Sequence, residues 1–133
     1  MRLNVIVIDD SVLQLTLSSQ LIKKNPNLNL LGAYSDPYLG LEAVNQQDVD
    51  VVILDVEMPE IDGFSLQKLF KDSVEVIMNS TKACFELQAY VNGAIDFILK
   101  PLSASKITRA VRRVDEIKEI MATENAVIAN IAI

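Results

Sequence analysis

The sequence contains no histidine. That excludes imidazole acid–base catalysis, imidazole metal ligands and phosphohistidine chemistry on this chain. It contains one cysteine, Cys84, so no internal disulfide can form, which fits a reducing compartment. No apolar run approaches the roughly 20 residues of a membrane helix. The N-terminal "RLNVIVI" is too short for a secretory signal and runs straight into acids. These absences predict a cytoplasmic protein that does not engage membrane. Positive charge is also scarce: 12 Lys and Arg stand against 18 Asp and Glu, a net charge of −6. Phosphate backbones are bound by clustered Lys and Arg, so nucleic-acid binding by this domain is not expected. Any chemistry falls to carboxylates, hydroxyls and lysine.

What is present is apolar and ordered in a repeating way. Half of the 133 residues are hydrophobic, enough for one domain with one core. Five short runs rich in Val, Ile and Leu stand out: "LNVIVI" (3–8), "LNLLGAY" (28–34), "DVVIL" (50–54), "VEVIM" (74–78) and "AIDFIL" (94–99). Continuous rather than alternating runs predict parallel strands covered on both faces. Helical stretches separate them. The first, 11–24, carries Leu13, Leu17 and Leu21 at four-residue spacing and ends before Asn25-Pro26. The second opens at Asp36, a capping residue, with Pro37 at the first helical position. The third covers about 63–71. The fourth covers about 82–92 and stops at Asn92-Gly93, a helix C-terminal signal. The fifth covers 103–121, with Ile107, Ala110, Val111, Val114 and Ile117 on one face. Strand and helix thus alternate five times, and right-handed crossovers make that a single doubly wound α/β sheet. Residues 1–121 are read as the domain. Residues 122–133 are a C-terminal tail or the start of a linker, and extending the fifth helix or packing on a partner are both open to them.

The polar residues collect at strand ends. Asp9 and Asp10 follow the first run, Asp55 the third, Ser80 the fourth and Lys100 the fifth. In an open parallel sheet these positions share the carboxyl edge, where ligands bind. Taken singly, an acidic pair after a strand is a helix cap or a solvated turn, and Lys-Pro is a turn. The set is more telling. Three converging carboxylates repel, and a hard divalent cation such as Mg²⁺ resolves this with carboxylate oxygens and water. Lys100 and Ser80 add a fixed positive charge and a hydroxyl donor for a phosphoryl group. A carboxylate can be the nucleophile in phosphoryl transfer, forming an aspartyl phosphate.

The segments "VIDDS" (7–11), "LDVEMPEIDG" (54–63), "IMNST" (77–81) and "GAIDFILKP" (93–101) resemble those of bacterial two-component response-regulator receiver domains. The resemblance covers residues 1 to about 120. It implies a flavodoxin-like (β/α)5 fold with strand order 2-1-3-4-5. It further implies that Asp55 is the phosphoacceptor and that Asp9, Asp10, Asp55 and the main-chain carbonyl of Glu57 hold Mg²⁺. Ser80 corresponds to the switch hydroxyl, Lys100 to the phosphate-pairing lysine and Phe97 to the aromatic switch. The Lys100–Pro101 bond is expected to be cis. The implied partners are a histidine kinase or phosphotransfer protein and a downstream effector or output domain. A homodimer through the fourth helix, fifth strand and fifth helix is also compatible with the family. The step from Ser80 to Lys100 and "AIDFILKP" are similar to receivers of LytTR-type regulators. No enzymatic activity is expected beyond the domain's own phosphotransfer and dephosphorylation.

Two departures from the family pattern bear on the site. Thr81 stands where a small Ala is usual, and Phe97 has no hydroxyl. Glu57 and Lys82, of opposite charge, are expected to pair across the mouth and lengthen the life of the phosphorylated state. Bland readings suit the remaining anchors: Cys84 as a small packing residue, Phe85 and Tyr90 as core-edge residues, and Arg109, Arg112 and Arg113 as a solvated helix face. Two other functions compete. A phosphorylation-independent interaction module would retain the fold while being free to lose the acids. An aspartate-nucleophile phosphatase resembles "D-x-D" at its nucleophile, but Glu57 occupies the second position and no cap domain is evident.

Overall fold

The computed structural model describes residues 2–131. Five parallel strands form one sheet: β1 (Leu3–Ile8), β2 (Leu28–Tyr34), β3 (Val51–Asp55), β4 (Glu75–Ser80) and β5 (Asp96–Leu99), in the order β2-β1-β3-β4-β5. Helices α1 (Val12–Lys24), α2 (Pro37–Gln46), α3 (Gly63–Gln67), α4 (Glu86–Val91) and α5 (Ala104–Ile131) connect and cover them. The expected doubly wound order is therefore present. The register of β1 on β2 slips once, between Val5 and Ile6, so that Leu31 is passed over.

The apolar runs are buried on both faces, as their continuity predicts. Ile6, Ile8, Val52, Leu54, Met78 and Phe97 face one core, which α2 and α3 cover with Val44, Phe64 and Leu66. Val5, Val7, Ile53, Ile77 and Ile98 face the other, which Leu15 and Ile22 of α1 and Ile107, Ala110 and Val114 of α5 close.

Local chemistry sets the helix ends. Ser11 caps α1 by accepting from the Gln14 N–H. Asp36 caps α2 by accepting from the N–H groups of Tyr38 and Leu39, with Pro37 in the first turn. Past α4, Gly93 has φ +88°, which a residue with a Cβ rarely adopts.

Several expectations are corrected. The Leu13–Leu17 row of α1 faces solvent, and the buried face carries Leu15, Ser18 and Ile22 instead. Helix α3 ends at Gln67, well before 71. The fourth helical stretch opens with a 3₁₀ turn, Ala83–Phe85, and only then becomes α4. Cys84 is exposed in that turn rather than packed. Ile117 is 37 % exposed, beyond the last buried residue of α5, Val114. Helix α5 runs on to Ile131, so the described part of 122–133 continues it; residues 132–133 lie outside the described residues. No described helix is long and apolar enough to cross a membrane.

Candidate functional site

The carboxyl edge of the sheet gathers the acids. Asp55 is the last residue of β3 and Asp9 directly follows β1; both are buried. Each of Asp9, Asp10 and Asp55 offers an oxygen within 4.8 Å of the other two. Lys100, just past β5, lies between two of them. Its Nζ is 2.8 Å from Asp9 Oδ2 and 3.3 Å from Asp55 Oδ1. The Lys100–Pro101 peptide is cis, as the resemblance implies. The Lys100 N–H donates to the Ser80 carbonyl at 2.8 Å, which ties the β4 and β5 ends together.

Asp9 has two jobs. Its Oδ1 accepts the Ser11 N–H at 2.9 Å, so it supports the start of α1. Its Oδ2 is buried with the Lys100 charge beside it but no donor aligned on it. Three carboxylates thus share one ammonium. A buried oxygen with no aligned donor, three carboxylates against one ammonium and an all-oxygen donor set fit a hard cation. Among the described residues, this is the cluster of acids close enough to hold one.

The crowding shows in the titration of the pair. Burial first, then the Asp9 charge, push the Asp55 carboxyl up to about 7, while Lys100 pulls it back. Burial works against the Lys100 ammonium, but Asp9 and Asp55 outweigh it and raise its pKa.

Ser80 ends β4, one residue beyond the register partner of Asp55, Asn79. Its buried Oγ accepts the Lys82 N–H at 3.0 Å, which leaves the hydroxyl proton free. Glu57 is not among the converging side chains. It reaches out to Lys82 at 3.0 Å, and both groups are about half exposed, 47 % and 57 %. Thr81 is exposed beside them. Phe97 is inward, packed in the first core.

Residues 5–112 match the response regulator receiver domain family. The chain belongs to that family. Its receiver fold is also that of the response regulator domain of Thermotoga maritima CheB. That match has a TM-score of 0.70 and 30 % identity, covering 92 % of this chain and 98 % of that one. The Borrelia burgdorferi CheX–CheY complex with BeF3 and Mg matches at TM-score 0.72 and 28 % identity, over 84 % of this chain and 88 % of that one. Among curated proteins, the receiver is 39 % identical over 107 residues to protein-glutamate methylesterase/protein-glutamine glutaminase 2 of Shewanella sp. MR-4. It is 38 % identical over 125 residues to the corresponding protein of Oceanobacillus iheyensis. These matches take in 76 % and 89 % of this chain but span only 30 % and 35 % of the relatives' length. The esterase and glutaminase activities in those names do not come with so partial a match.

Two residues that matter here escape the sequence reading. Gly63 starts α3 against the back of Asp55: a Cβ there would lie 2.4 Å from the Asp55 carbonyl oxygen. Asp96 is fully buried and accepts from Arg109 Nε at 3.1 Å and Arg113 Nη1 at 2.7 Å. Arg109 and Arg113 are therefore not merely a solvated face. The signal was an acid inside the apolar run "AIDFIL", which burial makes costly without partners, with two arginines four residues apart on one helix face.

Proposed function

We propose that this receiver is a phosphorylation-controlled signalling switch. A partner histidine kinase or phosphotransfer protein donates a phosphoryl group to a carboxylate oxygen of Asp55. The P–N bond of the partner's phosphohistidine breaks as the P–O bond to Asp55 forms. The observation that carries the reading is the buried Asp55 carboxylate, held beside Asp9 and Asp10 and within 3.3 Å of Lys100.

Each residue has a part. Asp55 must be ionised to attack, and burial beside Asp9 opposes that. Asp9, Asp10, Asp55 and the Glu57 carbonyl would hold Mg²⁺. When bound, the ion neutralises the acids and the charge of the incoming phosphoryl group. Lys100 would exchange part of its hold on Asp55 for a phosphoryl oxygen. The free Ser80 hydroxyl proton would donate to another, drawing the loop after β4 inward. The output surface is then α4, β5 and α5, which leads to an effector or output domain, with the end of α5 as the connector. Exposed Val12, Leu13 and Leu17 of α1, next in chain to Asp9 and Asp10, suit docking of the partner that brings the phosphoryl group. A homodimer through α4, β5 and α5 would use exposed Leu87, Val91 and Leu99, since Arg109 and Arg113 are occupied by Asp96. The setting is the cytoplasm.

The test is incubation with acetyl phosphate, with and without Mg²⁺, followed by intact mass. One phosphoryl group should add to the parent only with Mg²⁺, and none to Asp55→Asn. Full labelling of Asp55→Asn would reject the assignment. A parent that never labels would leave a phosphorylation-independent interaction module.

A further inference from the structure

Helix α4 is lightly held. It has six residues, no side-chain N-cap, and a single buried side chain, Ala89. Leu87 and Val91 are 75 % and 76 % exposed. Beside the packing of Ala89 in the first core, one polar tie among the described residues reaches from it to the sheet, the Tyr90 hydroxyl donating to Asp96 Oδ1 at 3.0 Å. Asp96 is the centre of a larger knot. Its Oδ1 also accepts the Phe97 N–H at 2.8 Å and Arg113 Nη1 at 2.7 Å. Its Oδ2 accepts Arg109 Nε at 3.1 Å. Arg109 Nη2 donates to the Phe97 carbonyl at 3.2 Å, and Arg113 Nη1 lies 3.3 Å from the Tyr90 oxygen. One buried carboxylate therefore joins α4, β5 and α5.

This knot sits at the far end of the loop that starts in the phosphoryl site. Ser80 leads through Lys82 and the 3₁₀ turn into α4, and Phe85 of that turn packs against the same core as Phe97. The Ser80 hydroxyl here accepts from its own loop rather than reaching Asp55. A loop drawn toward Asp55 would pull on α4, which it joins directly in the chain.

We propose that Tyr90 and Asp96 are positioning residues that latch α4 in its resting place, so that phosphorylation must work against their bond. The proposal rests on Asp55 being a phosphoacceptor. The two arginines make the latch separable from the fold. Without the Tyr90 hydroxyl, Asp96 still has both guanidinium groups and the Phe97 N–H, so no buried charge is abandoned.

The experiment compares the full chain with Tyr90→Phe in two measurements. Amide hydrogen exchange, without any phosphate analogue, should quicken across residues 87–91 in the variant and stay unchanged in β3. A titration with beryllofluoride and Mg²⁺, followed by NMR, should show the variant binding about fivefold more tightly, the worth of one ordinary hydrogen bond. Asp96→Asn, which keeps an acceptor for Tyr90, should not reproduce the faster exchange confined to α4. Equal or weaker beryllofluoride binding by Tyr90→Phe, beside a parent that binds, would overturn the latch alone. A parent that binds no beryllofluoride would overturn the phosphoacceptor reading and the latch with it. A lowered melting temperature with unchanged affinity would make Tyr90 merely structural.

Discussion

Asp55 is crowded by acids, and a second, half-exposed ion pair lies close to it and to Ser80 in the chain. Glu57 and Lys82 stand two residues after Asp55 and Ser80 and meet at 3.0 Å. An exposed pair of this kind is worth about 0–1 kcal/mol. Each tenfold change in lifetime takes about 1.4 kcal/mol of barrier, so under the proposed phosphorylation of Asp55 the pair would slow hydrolysis by about fivefold at most. Glu57→Ala and Lys82→Ala should both lose the phosphoryl group faster than the parent when the label is followed by mass. Slower loss in Glu57→Ala alone would mean that Glu57 acts as a base for water, the opposite role. The pairing itself was legible from two charges at matching offsets. Gly63 was not, because its role is to make room for the Asp55 carbonyl, a contact across eight residues that no local pattern announces.

Among the elements, α1 illustrates where periodicity misleads. Leu13, Leu17 and Leu21 and the row Leu15, Ser18, Ile22 both have helical spacing, and leucine content favours the first. The sheet selects the second, since Ser18 is small enough to sit against it and Ile22 is fully buried. Ile22→Ala should cost about 2–5 kcal/mol and Leu13→Ala about 0.5 kcal/mol or less, as read by urea denaturation. Similar losses in both would place Leu13 in a core. The fifth strand shows a different kind of control. As an edge strand it would offer free backbone groups to other chains. Here the Phe97 N–H is taken by Asp96, and the Phe97 and Leu99 carbonyls accept from Arg109 and Lys106 of α5.

For the molecule as a whole, the surplus negative charge at the sheet edge should couple metal binding to stability. With the proposed metal site, Mg²⁺ at a few times its dissociation constant should raise the melting temperature, because the three acids converge in the folded chain. Asp10→Asn should lose most of that rise; an equal rise would remove Asp10 from the metal site. At the other end of the domain, the last tie of α5 among the described residues is Lys118 to Asp50 at 3.3 Å, and residues 119–131 are exposed throughout. A chain ending after Lys118 should melt within about 3 °C of the parent, and a larger fall would show that the protruding helix supports the domain. The sequence alone determined the alternation of strands and helices, the caps and the types of residue at the strand ends. These are local properties, set by apolar runs, capping groups and turn residues. Only the tertiary structure decided which face of α1 is buried, that Asp96 would bind two arginines, and that one lysine would stand between two acids. Those outcomes depend on groups far apart in the chain, whose charges and volumes meet only after the sheet has closed.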